Sequence, residues 1–434
     1  QNVRSNFLSS LEIIDYVAIN KWSNAINTIN YLKPNFYIKG SDYKLAKNDL
    51  TKKIQLEREI AKKNNCKVIF TNTPLQSSTK ILNNHTDLVY NTEQKKFLNN
   101  VKNLTNFNLI QEYFKKIEKI RSTVIGEAII DNYITCEPLG KSGKEPILMF
   151  KKIKSNFYVG GALHVANNLS LICKKINLIS MIGDDLKFFN LIKNNLRKNI
   201  KSFFVKKKSS TTIVKSRYLD QFNNNKIFGT YDFTENELDI NNQKKFNNKI
   251  SSIQDQLIIV TDFSHGFLNK KMIKKILSIK KSFIAVNAQL NASNISHHNL
   301  MNYNGANLLI INEGEIRHQT RDKVNKIEFI VKNFTKTFKC NFIVVTRGSN
   351  GSLIYINKSK KFQYAPAFAT QVVDKIGAGD TMLTIIAACL SINVNPVVAL
   401  FLGNIAGRMA VESLGNKNLF ENNAFLSKVA SMLK

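Results

Sequence analysis

Short apolar runs separated by stretches of helical length dominate the chain from about residue 116 onward. STVIGEAII at 122–130, LIIVT at 257–261, FIAVN at 283–287, NLLIIN at 307–312 and FIVVT at 342–346 read as buried strands, and the last four are spaced by helices. The pattern predicts an open, mostly parallel α/β sheet flanked by helices over 116–434. The N-terminal part repeats the rhythm on a smaller scale. IIDYVAI at 13–19, FYIKG at 36–40, a charged segment near 44–64 and CKVIFT at 66–71 predict a βαβ unit over 1–82. Between them, 83–115 hold neither Gly nor Pro and carry apolar residues at helical spacing, which predicts a helical connector. Residues 129–159 break the alternation: two or three strands joined by a GKSG turn predict a β-strand lid on the α/β core.

Composition narrows the class. A length of 434 residues suits two or three domains at about 150 residues each, and 43% hydrophobic residues supply ample core. No apolar stretch approaches the roughly 18–20 residues of a membrane span, and the polar start QNVRSN is not a secretory leader. That start is Gln rather than Met, so the expectation is a longer chain upstream. Five cysteines without CxxC spacing indicate neither a zinc site nor a disulfide framework and fit a reducing cytoplasm. The net charge of +32 admits three readings: solvated lysine-rich faces, phosphorylated ligands or nucleic acid. The excess is mostly Lys spread along the chain, whereas a nucleic-acid surface interleaves Arg and aromatics in one region, so nucleic acid ranks last.

The most informative stretch is DKIGAGDTMLT at 374–384, followed by an apolar helical run. Gly377, Ala378 and Gly379 let backbone N–H groups converge at a helix start, where the dipole favours an anion. Asp380 then sits in the first turn, placed to take a proton from an attacking hydroxyl. A bare GxGD also fits a plain helix N-terminus with a favourable first-turn Asp. Other segments decide between the two.

GGALHVANNLSLI at 160–172, IGDD at 182–185, INEGE at 311–315, VVTRGSNGSLIY at 344–355 and FLGNIAGRMAVESLG at 401–415 join that motif in order and spacing. Together they resemble the ribokinase-like (PfkB) carbohydrate kinases over about 120–434. The resemblance implies phosphorylation of a sugar hydroxyl by ATP, with Asp380 as base and Gly377, Ala378 and Gly379 as the anion hole. It places Asn312 and Glu315 beside magnesium; Thr346, Gly348, Gly351 and Asn404 along the nucleotide; and Asp131, Gly160, Gly161 and Asn168 in the sugar pocket. Gly160 and Gly161 also suit a strand-to-helix turn, and Asn312 with Glu315 a helix cap. A homodimer paired through the lid is expected.

Within that group the chain is most similar to enzymes combining heptose 7-phosphate kinase and heptose 1-phosphate nucleotidyltransferase activities. STTIVKSRYLD at 210–220 resembles their TxxKxR element, which implies that Lys215 and Arg217 grip a sugar phosphate, and TDFSHG at 261–266 resembles their SDYxKG segment, with Asp262 retained as a substrate-binding residue. Lys215 and Arg217, two apart on a strand, face one way and would clamp a dianion; a charged, solvated strand edge is the alternative. IIDYVAIN, LKPNFYIKGSDY and SSTKI resemble the second half of the family's nucleotidyltransferase domain, with Lys39, Gly40, Ser77, Ser78 and Thr79 near a nucleotide. The domain order is then reversed and that half truncated. No HxGH is present, so nucleotidyl transfer is not expected from this chain. His164, Lys375, Asn287 and Gln289 also depart from the family pattern. The expectation is an ATP- and magnesium-dependent kinase of a heptose 7-phosphate-like sugar. Its rivals are a free-sugar kinase, a catalytically impaired binding scaffold and, on charge alone, a nucleic-acid binder.

Overall fold

The structure is a computed structural model that describes the chain except residues 1–4, 6, 7, 21, 23, 41–53, 72–89, 296–298 and 413–421. The chain divides into two compact units, Gln1–Val89 and Tyr90–Lys434. In the first, α1 (Ile26–Leu32), β1 (Phe36–Lys39), α2 (Ile54–Lys63) and β2 (Lys67–Phe70) form a small crossover in which β1 and β2 run parallel. Ile29, Ala61 and Cys66 make its core. The strand expected at 13–19 is absent. Ile13 and Tyr16 are about nine-tenths exposed there, and an apolar run that neither pairs nor buries gains nothing from extending.

The second unit opens with α3 (Thr92–Leu104) and α4 (Phe107–Ile117). Asn91 and Gln94 form a capping box on α3, and Asn106 caps α4. Phe97, Leu98, Val101, Ile110, Phe114 and Ile117 enter the main core, so these helices are part of the second unit and do not act as a connector.

Along the rest of the chain follow β3 (Arg121–Lys141), β4 (Leu148–Gly161), α5 (Ala162–Leu169), β5 (Lys175–Gly183), α6 (Phe189–Asn195), β6 (Ile200–Lys207), β7 (Ile213–Asp220) and β8 (Lys226–Asp232). Then come α7 (Ile240–Ser251), β9 (Leu257–Asp262), α8 (Lys270–Leu277), β10 (Phe283–Ala288), β11 (Leu308–Asn312), α9 (Glu313–Thr320), α10 (Ile327–Thr337) and β12 (Phe342–Thr346). The unit ends with β13 (Ser352–Ile356), β14 (Lys361–Ala365), α11 (Ala378–Ser391), α12 (Pro396–Val411) and α13 (Asn422–Leu433).

The central sheet runs β14–β13–β12–β11–β10–β9–β3–β5–β6 and is parallel from β12 to β6. Its strands are buried on both faces, as unbroken apolar runs require. Val124, Leu257 and Ile259 pack toward α11 and α12, while Ile125, Ile258 and Val260 pack toward α7, α8 and α10. Gly403 brings α12 close to α11: a Cβ there would stand 2.5 Å from Ile386 Cγ1.

One strand builds two sheets. The first part of β3, through Glu127, lies between β9 and β5, and from Ala128 onward the strand pairs instead with antiparallel β4 and parallel β7. With β8 on β7, the lid is ordered β4–β3–β7–β8. The lid expected at 129–159 is therefore only its first hairpin. Every residue of β8 is exposed, so KIFGTYD carries no buried face for periodicity to reveal. The GKSG turn is also displaced, since β3 continues through Lys141 and the chain reverses over 142–147.

Candidate functional site

The N-terminus of α11 presents a prepared anion site. Gly377 caps it with φ +79, a left-handed conformation suited to glycine, and the first helical bond runs from Thr381 N–H to the Gly377 carbonyl at 2.9 Å. The N–H groups of Ala378, Gly379 and Asp380 precede that bond and have no helical acceptor. A Cβ built on Gly379 would meet nothing within 4 Å, so the backbone faces open space. The left-handed residue is Gly377 alone, and Gly379 matters for the room it leaves. Asp380 is half-buried beside this cradle. Burial, then the Asp131 carboxylate, raise its carboxyl to about 7, with Lys215 opposing. A carboxyl poised near neutrality suits a general base.

The lid root supplies the facing groups. In the β3–β7 register Asp131 opposes Lys215 and Tyr133 opposes Arg217. Arg217 Nη1 donates to Asp131 Oδ1 at 2.6 Å, and its guanidinium lies over the Tyr133 ring, 5.4 Å from the centroid. The Lys215 ammonium sits 5.2 and 4.9 Å from the Tyr231 and Phe263 ring centroids, and burial lowers its pKa to about 8. The two cations of the expected clamp thus differ in their surroundings. Arg217 is paired with Asp131, whereas Lys215 is buried against aromatic rings and feels the charges of Asp131, Glu127 and Asp380. Asp262, at the end of β9, accepts from Tyr303 Oη at 2.6 Å and Ser264 N–H at 2.8 Å.

Glu127 is the residue that sequence reasoning missed here. Its fully buried carboxylate accepts from Phe263 and His265 N–H at 2.7 and 2.8 Å, fixing the loop after Asp262. Burial, then Asp262, push it up to about 8. A lone acid inside STVIGEAII was the available signal.

Gly160 and Gly161 end β4 against Ile129 and Ala128 and turn directly into α5. Gly161 has φ +58, and a Cβ there would stand 2.6 Å from the Glu127 carbonyl oxygen. On α5 the buried Asn168 Nδ2 lies 3.0 Å from His164 Nε2 and donates to Thr381 Oγ1 at 3.1 Å, while Thr381 donates to the Gly377 carbonyl at 2.8 Å. Burial lowers His164 to about 4, so the ring is neutral. α5 is thereby tied to the start of α11.

On the nucleotide side, Asn312 caps α9 in a capping box with Glu315. Glu315 accepts from Asn312 and Leu290 N–H at 2.8 and 3.1 Å, and burial raises its pKa. Asn312 Nδ2 reaches the Thr346 carbonyl at 3.4 Å. Among the described residues no cluster of three or more His, Cys, Asp or Glu forms a metal cage. One carboxylate and one amide fit a magnesium ion that keeps its waters and is held chiefly by substrate phosphates. Gly348 and Gly351, both at positive φ, shape the β12–β13 turn, and the buried Asn404 donates to Ser352 Oγ at 2.7 Å.

In the first unit the Lys39 ammonium pairs with Glu57 at 3.0 Å and Gly40 follows β1; Ser77, Ser78 and Thr79 lie outside the described residues. A cavity of about 350 Å³ lined by Arg121, Lys175, Asn177, Lys201 and Asp255 opens at the N-terminal ends of β3 and β5, the sheet end opposite Asp380. Open α/β sheets bind ligands at the carboxyl ends of their strands, so the chemistry is assigned to the GAGD end. No helix among the described residues is long and apolar enough to cross a membrane.

Residues 119–423 match the pfkB family of carbohydrate kinases. The bifunctional protein HldE of Campylobacter jejuni subsp. doylei is 26% identical over 312 residues, 70% of this chain and 63% of that protein. The HldE of Geobacter sulfurreducens is 23% identical over 317 residues, 71% and 63% of the two chains. The chain thus spans less than two thirds of these curated relatives. Among solved structures, Arabidopsis thaliana ribokinase complexed with ribose and ATP superposes with a TM-score of 0.55 at 16% identity, covering 73% of this chain and 99% of that one. Phosphofructokinase-2 from Escherichia coli in complex with potassium gives 0.57 at 14% identity, covering 72% and 99%. These likenesses establish the ribokinase-like fold, and with the match over 119–423 the chain belongs to the pfkB family of carbohydrate kinases.

Proposed function

We propose that the protein transfers the γ-phosphoryl group of ATP to a hydroxyl of a phosphorylated sugar of the heptose 7-phosphate class. The observation that carries this reading is the buried Lys215 ammonium, opposite Asp131 in the lid and against the Tyr231 and Phe263 rings, where it feels the charges of Asp131, Glu127 and Asp380. Asp380 takes the hydroxyl proton as the oxygen attacks phosphorus, and the bond to the ADP oxygen breaks in line. The N–H groups of Ala378, Gly379 and Asp380 receive the developing charge on the transferred group. Asp131 orients the acceptor hydroxyls, with Gly160, Gly161 and Asn168 around the sugar. Lys215, supported by Arg217 and Asp262, receives the substrate phosphate. Thr346, Gly348, Gly351 and Asn404 line the nucleotide. Asn312 and Glu315 would hold the waters of a magnesium ion, which would supply charge that offsets the phosphates. The lid of β4, β3, β7 and β8 excludes water from the transfer.

A free-sugar kinase is the second reading, favoured by one observation: the fork of Arg217 is already engaged by Asp131. A phosphate-transfer assay with ATP, magnesium and matched acceptors separates the two. The expected result is the highest kcat/KM with heptose 7-phosphate, a lower value with fructose 6-phosphate and little with unphosphorylated heptose. Equal turnover of free and phosphorylated sugars favours the second reading; ATP binding without turnover of any acceptor favours a scaffold.

Around this activity we place a lid-to-lid homodimer, for which the exposed Leu139, Leu148, Met149, Ile153 and Phe228 supply apolar surface. The first unit is read as a partial nucleotidyltransferase-like domain without that activity. A cytoplasmic setting suits cysteines that are buried and unpaired.

A further inference from the structure

The lid and the anion-hole loop share one buried carboxylate, that of Asp374. Three residues before Gly377, its own N–H and that of Val373 donate to the Val411 carbonyl at 3.2 and 2.8 Å, anchoring the segment to the end of α12. Its side chain reaches the other way. Oδ2 accepts from Tyr133 Oη at 2.8 Å, and Oδ1 accepts from Lys226 Nζ at 2.7 Å and from Ile376 N–H at 3.2 Å. Tyr133 lies on β3 beyond the point where it leaves the central sheet, and Lys226 opens β8, so both lid partners belong to the sheet that carries Asp131, Lys215 and Arg217.

Burial of this kind is costly unless the charge is paired. The Asp374 side chain is 1% exposed and that of Lys226 43%, so the cation reaches in from solvent to an acid that cannot reach out. Burial alone would raise the Asp374 pKa, but the hydrogen bonds from Lys226 and Tyr133 prevail and hold it below the usual value. The same oxygen that meets Lys226 orders the Ile376 N–H one residue before Gly377. Withdrawing the ammonium removes the ion pair on the oxygen that holds the Ile376 N–H.

We propose that Lys226 and Asp374 are a positioning pair. Through Asp374, the lid lysine fixes the 374–377 turn and hence the aim of the phosphate cradle, so that lid placement and anion-hole geometry are coupled. Neither residue touches the reacting atoms. The kinetic part of this inference rests on the kinase reading above; its structural part does not.

Backbone hydrogen exchange on the full chain without substrate tests the structural part. Lys226→Met should speed exchange of the Ile376 and Gly377 amides about tenfold, the low end for losing a charge-assisted hydrogen bond. Lys226→Arg should restore protection, and Tyr133→Phe should shift the same amides in the same direction. Lys151→Met, which removes a lid lysine paired with Glu137 at the surface, should leave them unchanged. In turnover, Lys226→Met should lower kcat with little change in the acceptor KM, and added ethylammonium should restore part of the loss by re-pairing the acid. Wild-type exchange at Ile376 and Gly377 in Lys226→Met overturns the proposal, as does acceleration spread equally through the central strands. Altered exchange with no sugar turnover in any variant retains the pair and rejects the kinase reading.

Discussion

The two ends of the site are built differently. The anion hole at the start of α11 is made of backbone and neighbours in sequence: Gly377, Ala378, Gly379 and Asp380 face one space because a single helix start puts them there. The lid root is made of side chains from separate strands: Arg217 meets Asp131 across 86 residues, and Lys226 meets Asp374 across 148. A backbone cradle needs only a short motif and binds any transferring phosphoryl group. A side-chain constellation needs the whole fold and, on the proposed reading, selects the acceptor. That reading makes the chemistry local and the specificity distributed.

The sharpest way to break this contrast is in the cradle. Gly379→Val fills the space that the N–H groups face, and losing such donors costs about 10²- to 10³-fold in turnover. Nucleotide affinity should fall with it, read by calorimetry with ATP. A fully active Val variant would move the anion hole elsewhere. At the lid root the expected change is smaller and selective. Arg217→Ala removes the ion pair with Asp131 and, on the proposed reading, its support of Lys215 at the substrate phosphate, so the KM for a phosphorylated sugar should rise about 10- to 100-fold, the range for one charge-assisted contact. The KM for the unphosphorylated sugar should move far less. An equal, small change in both would favour a free-sugar kinase.

The same contrast sets a pH profile. As the proposed base Asp380 would act when deprotonated, so kcat/KM should be retained above about 7 and lost as pH falls through that value. Lys215 binds phosphate when charged, so kcat/KM for a sugar phosphate should decline as pH rises through about 8. Because the two groups interact, the limbs belong to the pair. With an unphosphorylated acceptor only the acid limb should remain. The smallest effect is structural: Asn312→Ala removes the cap of α9 and should cost about 0.5–2 kcal/mol in a denaturant titration, with sugar affinity unchanged.

Legibility in the sequence followed the same divide. The parallel sheet showed itself because its strands are buried on both faces and read as unbroken apolar runs, and the GAGD and NEGE motifs showed themselves because their residues are adjacent. The first lid hairpin was visible between 129 and 159, but β8 has no buried residue to signal it. IIDYVAI had strand composition and no partner to bury against. Glu127 lay in plain sight as an acid within an apolar strand, yet its partners, the N–H groups of Phe263 and His265, depend on strand order. Lys226 was one lysine among many, and only the β7–β8 pairing brings it to Asp374. What depends on pairing across the fold could not be read from spacing.

The central claim is that Asp380 is the base of a phosphoryl transfer whose nucleotide is held by the surrounding backbone. Single-turnover transfer from ATP to heptose 7-phosphate, measured beside the ATP binding isotherm in Asp380→Asn, tests it most directly. The account predicts a loss of transfer of at least about 10²-fold with ATP affinity within about twofold of wild type. Retained transfer, or loss of ATP binding in step with turnover, would contradict it.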